Sequence, residues 1–125
     1  MSDIKLPHNH AGNEECLACH TPCLAEFQAL ADSFKQLGDG SRLRIFWLLC
    51  HCEECVINIS AMVEMSSPAV SHHLKQLKSA DFIVSRRDGK EVYYTAANTD
   101  RARLLHNMMK QLLTLDCGGH CHFER

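Results

Sequence analysis

Eight cysteines and nine histidines stand among 125 residues, an unusual supply of side chains able to hold a soft metal ion. The cysteines fall into three groups. Cys16, Cys19 and Cys23 lie near the N-terminus, Cys50, Cys52 and Cys55 cluster mid-chain, and Cys117 and Cys121 close the chain beside His120 and His122. Thiolates bind soft or borderline ions such as Cd²⁺, Pb²⁺, Zn²⁺ or trivalent arsenic far better than Mg²⁺ or Ca²⁺. Structural zinc takes four ligands in near-tetrahedral geometry. No group holds four cysteines, so a full thiolate site is expected to join two of them. The tail residues Cys117, His120, Cys121 and His122 are a candidate second metal site, and an adventitious binder explains them equally well.

Other chemistries fit less well. Cys16-Leu17-Ala18-Cys19-His20 matches the C-x-x-C-H pattern of c-type haem attachment. That chemistry needs export, and the N-terminus has neither the apolar run nor the cleavage site of a signal peptide. The same cysteines could hold part of an iron–sulfur cluster. Neither haem nor nucleotide is expected. Gly-rich phosphate loops, H-E-x-x-H and G-x-S-x-G are absent, and Cys50-His51-Cys52 is crowding rather than a positioned nucleophile and base, so an enzyme is not expected. No apolar stretch approaches the roughly 20 residues of a membrane span. The chain is expected to be cytoplasmic with no membrane partner. In a reducing compartment, clustered cysteines read as metal-binding or redox-active rather than disulfide-bonded.

The elements that must position these residues are helical for the most part. At 46% hydrophobic and 22% charged, the chain can bury a core and is not wholly disordered, and a net charge of −2 excludes a uniformly basic DNA-coating protein. Residues 1–21 read as a flexible Cys-containing arm, 22–116 as one domain and 117–125 as a Cys/His-containing tail. From Pro22, Leu24, Phe27, Leu30, Ala31, Phe34 and Leu37 recur at helical spacing until Gly38 and Gly40. Ser41 can cap a second helix carrying Leu43, Phe46, Trp47 and Leu49. A third begins near Val56–Asn58, buries Ile59, Met62 and Val63, and ends near Glu64–Met65. Ser66 or Ser67 caps a fourth, Pro68–Ser79, with Pro68 at its first position and Val70, Leu74 and Leu77 buried. Strands Phe82–Arg87 and Glu91–Thr95 follow, joined by Asp88–Gly89 in a type I′ turn. A last helix, Asp100–Leu115, presents Leu104, Leu105, Met108, Met109, Leu112 and Leu115.

Two short helices, a tight turn, a serine-capped helix and a basic hairpin make a winged helix-turn-helix: mainly α with a β-hairpin wing, an α+β fold. The fourth helix would place its N-terminal residues in a major groove. Ser66, Ser67, Ser71 and His72 offer short hydrogen-bonding groups to base edges, and Lys75 reaches a phosphate or a guanine. Arg86, Arg87 and Lys90 on the hairpin suit phosphates or a minor groove. His73 reads as a partly buried packing residue. Residues 66–95 hold five basic and three acidic side chains, so the positive charge that steers DNA is local.

Leu24 to Leu115 resembles the ArsR/SmtB family of metal-responsive bacterial repressors. The resemblance is carried by LGDGSRLRIFWLL (37–49), ECV (54–56) and SSPAVSHHLKQLKSADFIVSRRDGKEVYY (66–94). It implies a homodimer packed through its first and last helices. It implies binding to an imperfect double-stranded palindrome near the protein's own promoter, with release when a metal or other effector binds. In the family's thiolate sensors, including the cadmium/lead type, a Cys-rich arm meets a Cys-Val-Cys pair on the third helix. Glu54-Cys55-Val56 matches that motif, so Cys55 carries over, while Ile57 stands where the second thiol belongs and Cys52 can substitute. The implied ligands are Cys55 and Cys52 with two or three of Cys16, Cys19 and Cys23. Cys50 reads as a small apolar residue. A second family site, of Asp/His pairs on the last helix, is not expected from Asp100 and His106. Two alternatives share the fold: a thiol redox or persulfide sensor, and a structural-zinc DNA-binding module.

Overall fold

The computed structural model describes Pro7–His8 and residues 21–114. The chain divides into two compact units after Lys35. In the first, α1 (Leu24–Leu37) begins and buries none of its residues; Leu24, Phe27, Leu30 and Phe34 of the expected stripe are all exposed. The second unit holds α2 (Gly40–Leu49), β1 (Glu54–Cys55), α3 (Val56–Val63), α4 (Ser67–Ser79), β2 (Ile83–Asp88), β3 (Glu91–Ala96) and α5 (Asp100–Leu113).

The helix starts follow from local hydrogen bonding. Asp39, not Ser41, caps α2, its carboxylate accepting the Arg42 N–H at 3.0 Å. A carboxylate three residues ahead of an orphan N–H satisfies that donor and meets the positive end of the helix. That bond chiefly holds the Asp39 carboxyl below its ordinary value of 3.8. Ser66 caps α4 by accepting from Ala69 N–H at 3.3 Å, with Pro68 in the first turn. Thr99 caps α5, which ends at Leu113 with Thr114 in the left-handed region. Glu64 ends α3 in the same conformation, at φ 56°, where the tight turn into α4 begins.

The sheet has three antiparallel strands in the order β1-β3-β2. β1 is the element that period-two reading does not foresee. Its two residues pair Glu54 with Tyr94 and Cys55 with Tyr93. The hairpin register pairs Asp88 with Glu91, so Gly89 and Lys90, not Asp88 and Gly89, form the turn. φ is positive at Gly89 (65°) and not at Lys90, the pattern of a II′ rather than a I′ turn.

Ile45, Phe46 and Leu49 of α2 pack with Ile59 and Val63 of α3, Val70, Leu74 and Leu77 of α4, and Phe82 and Ile83 at the start of β2. Phe46 and Phe82 meet edge to face at 5.9 Å. Cys50 is fully buried among these residues, as its apolar reading requires. Met62 does not join them and is exposed.

A polar pin crosses this core. Arg42 is 9% exposed and His73 of α4 is 8% exposed. Arg42 Nε donates to His73 Nδ1 at 3.3 Å, and its Nη1 donates to the Gln36 carbonyl at 2.5 Å. His73 Nε2 lies 4.0 Å from the Asp39 carboxylate. Burial holds His73 below the ordinary histidine value of 6.5, with the charges of Arg42 and His72 adding to this and Asp39 opposing it. The folded state therefore favours the neutral ring, and the unfolded chain takes up the proton first. Stability rises with pH across this window: the contribution is complete above about 6.5 and is lost as pH falls through the lower folded value. His73→Asn retains an acceptor for Arg42 without a titrating group. Urea midpoints measured from about pH 7 to about pH 5 should fall more steeply in wild type than in this variant; parallel profiles would remove His73 as the cause.

Candidate functional site: nucleic-acid interface and thiol loop

α4 presents a divided surface. Val70, His73, Leu74 and Leu77 face inward at three- and four-residue steps. The same geometry turns Ser71, His72 and Lys75 outward, and Ser66 and Ser67 are exposed at the helix start. Ser71, His72 and Lys75 of the expected DNA-contacting residues therefore share its open side, with Ser66 and Ser67 at its start. Two of the serines are already engaged. Ser66 Oγ is the cap acceptor, and Ser67 Oγ lies 3.2 Å from Ser60 Oγ of α3, joining the two helices across the turn. At the other end, Lys78 Nζ donates to Ser85 Oγ of β2 at 2.6 Å, tying α4 to the wing.

On the wing, Arg87 and Lys90 are exposed. Arg86 is exposed as well but is held by acidic partners. Its Nε donates to both Glu53 carboxylate oxygens at 2.9 Å and its Nη2 to Oε1 at 2.6 Å. Nη1 lies 3.8 Å from Asp88 Oδ2, and the guanidinium sits 4.9 Å from the Tyr93 ring centroid. The carboxylate that this cation meets stands 33 residues earlier in the chain, a distance no local motif spans.

The thiol loop runs from the end of α2 to the start of α3. Cys52 is partly buried and its Sγ donates to the Leu48 carbonyl at 3.3 Å. Burial first, and the Glu54 carboxylate second, push its thiol above the ordinary value of 9.0. Cys55 occupies the cap position of α3 in extended conformation, and its side chain makes no capping hydrogen bond. Thr95 Oγ1 reaches the carbonyls of Leu49 at 3.3 Å and Cys52 at 3.5 Å, fastening the loop to β3. Ile57, where the family's second thiol would stand, is exposed, and Asn58 Nδ2 donates to Glu54 Oε2 at 2.8 Å.

The donor chemistry of Cys52 and Cys55 fits a thiophilic ion, but two thiols do not complete a four-ligand shell. Among the described residues, no three His, Cys, Asp or Glu side chains cluster as a metal site. Cys23 is exposed just ahead of α1. Cys16, Cys19, Cys117, His120, Cys121 and His122 lie outside the described residues. Asp100 is exposed and paired with Arg103 at 2.5 Å, whereas His106 is buried 5.1 Å from the Trp47 ring centroid. Among the described residues, no helix is long and apolar enough to cross a membrane.

Residues 39–85, from the α2 cap to the first half of β2, match the bacterial regulatory protein arsR family. The chain is similar to a transcriptional repressor SmtB homolog of Synechocystis sp., 36% identical over 93 residues, covering 74% of this chain and 70% of that protein. It is 40% identical over 78 residues to the cadmium resistance transcriptional regulatory protein CadC of Listeria innocua, 60% of this chain and 66% of that one. Among solved structures, it is similar to a homodimeric winged helix-turn-helix DNA-binding domain of Mycobacterium bovis. The TM-score is 0.61 and the identity 33%, covering 78% of this chain and 89% of that one. The helix-turn-helix, the wing and these likenesses, which extend over most of both chains, place the protein in the ArsR family of bacterial regulatory proteins.

Proposed function

We propose that the protein is a dimeric repressor that releases its operator when a thiophilic ion binds Cys52 and Cys55 together with thiols of the Cys16, Cys19 and Cys23 arm. The observation that carries this reading is the position of Cys55. It stands at the cap position of α3, the first helix of the helix-turn-helix, and pairs with Tyr93 of the wing. A ligand there touches both parts of the DNA-reading apparatus. Binding free energies are reciprocal, so metal weakens DNA as much as DNA weakens metal. The similarity to a cadmium resistance regulator makes Cd²⁺ the first ion to test.

Dimerisation rests on apolar surface that the single chain leaves open. Leu24, Phe27, Leu30 and Phe34 of α1 are exposed, as are Leu104, Leu112 and Leu113 of α5. Trp47 of α2 and Met109, Leu112 and Leu113 of α5 also line an apolar cavity of about 510 Å³. Exposed apolar patches of this kind mark interfaces, and the similar Mycobacterium bovis domain is homodimeric.

DNA contact is assigned to Ser71, His72 and Lys75 of α4, with Arg87 and Lys90 on the wing and Ser66 and Ser67 at the helix start.

Titration of a labelled duplex from upstream of the protein's own gene, with and without saturating Cd²⁺, tests the effector site. Wild type should lose roughly 5- to 150-fold in affinity. Cys55→Ser, Cys52→Ser and Cys19→Ser should abolish that loss, and Cys121→Ser should leave it intact. Unchanged affinity in wild type with Cd²⁺, Pb²⁺, Zn²⁺ and arsenite alike would defeat the reading. Lys75→Ala should weaken metal-free binding by about 1–3 kcal/mol, checked by the same titration. Leu112→Glu should convert the dimer to monomer in analytical ultracentrifugation; an unaltered dimer would move the interface away from the end of α5.

A further inference from the structure

We infer that Arg86 is a strut rather than a DNA contact: with Glu53 it couples the thiol loop to the wing. The inference rests on the reading of Cys52 and Cys55 as effector ligands.

Residues directly opposite each other in a sheet project to one face. Arg86 of β2 lies opposite Tyr93 of β3, and Tyr93 lies opposite Cys55 of β1. The three side chains form a row across the sheet. Glu53, two residues before Cys55, closes the row into a ring by accepting three hydrogen bonds from Arg86. The guanidinium is used on every side. Its Nε and Nη2 edge meets Glu53, Nη1 faces Asp88 at 3.8 Å, and its plane lies over Tyr93 at 4.9 Å.

A DNA phosphate would have to displace a carboxylate from a side-on, charge-assisted pairing. Two carboxylates beside the cation also cancel the field that would draw a phosphate in. Arg87 differs. It projects to the opposite face of the hairpin and is exposed, which leaves it the wing arginine suited to phosphate.

Glu53 stands between Cys52 and Cys55. Ligation of both thiols fixes the backbone on either side of it, and the carboxylate carries that displacement into the middle of β2. Arg86 is exposed and Glu53 half-buried, and surface ion pairs add little to stability. Removing the pair therefore tests coupling without unfolding the domain.

The experiment measures operator affinity by fluorescence anisotropy, using the full chain, the duplex from upstream of its own gene, and salt from about 50 to about 200 mM, with and without Cd²⁺. Glu53→Gln and Arg86→Gln are compared with wild type, the double variant and Arg87→Gln. Metal-free affinity and salt slope should stay within about twofold and within experimental error of wild type for Glu53→Gln and Arg86→Gln. The Cd²⁺-induced weakening should shrink at least about fivefold in both. The double variant should lose no more than either single one, as partners in one interaction do. Arg87→Gln should instead lower the salt slope by about one and keep the Cd²⁺ response.

A slope drop of about one in Arg86→Gln would make Arg86 a phosphate contact and overturn the proposal. So would an unchanged Cd²⁺ response in both variants. A wild type indifferent to Cd²⁺ would defeat the effector reading and the coupling with it, and the Arg86→Gln salt slope would still decide whether that side chain touches DNA.

Discussion

A guanidinium taken out of water must be given acceptors, or the charge costs more than the fold can spare. Arg42 is such a group, and its acceptors decide where α4 lies. Its side chain is shared between the Gln36 carbonyl and His73 Nδ1, and its backbone N–H is held by Asp39. His73 sits on the buried stripe of α4 between Val70 and Leu77. Rolling α4 about its axis would carry His73 away from Arg42 and strand a buried cation. The roll of the helix is thereby set, and with it the outward aim of Ser71, His72 and Lys75. A histidine serves better here than an apolar residue because it supplies a directional acceptor inside the core, and it serves only while neutral.

The contrast with the thiol loop is one of strength. The α2–α4 contact is a packed apolar core with a buried hydrogen bond through it. The loop is held to the wing by two ladder pairs of β1, the Thr95 hydroxyl shared between two carbonyls, and a surface ion pair. Buried, satisfied polar contacts are costly to break, while exposed pairs are worth little. The contacts between loop and wing are therefore weaker than those at the base of α4. The three thiols of this stretch divide along the same line. Cys50 belongs to the core, whereas Cys52 and Cys55 are only partly buried.

The helix-turn-helix was legible because each of its signals is local. Ser66 and Pro68 mark a helix start by type and position, and Val70, Leu74 and Leu77 mark its buried side by spacing. The α2 cap is ambiguous in the sequence because Gly38 and Gly40 bracket Asp39 and look like a stop, and Ser41 is as good a capping type. Only the geometry shows which oxygen reaches the Arg42 N–H. The hairpin turn was displaced by one residue because Asp88 is spent as the last paired residue of β2, opposite Glu91. β1 has no period to read, since two residues cannot alternate, and its identity lies in Tyr93 and Tyr94, which it pairs. The partners of Arg86 and His73 were invisible for the same reason. A side chain's type states what it can bond, and the fold decides what stands beside it.

A ligand shifts an equilibrium only through contacts that differ between the two states. If a metal acts at Cys52 and Cys55, the structures it can alter include those the loop touches: the end of α2, the start of α3, and β3 with the rest of the wing. The roll of α4 is not among them, because Arg42 fixes it from the other side. Such an effector would leave the reading surface of α4 whole and change its setting. The wing would move against the helix-turn-helix, and in a dimer the two α4 helices would move against each other. Two half-sites are read together only when those helices stand one turn of DNA apart, about 34–36 Å. A small displacement at the joint is then enough for release, since each intact reading helix fails by missing its groove rather than by losing its side chains.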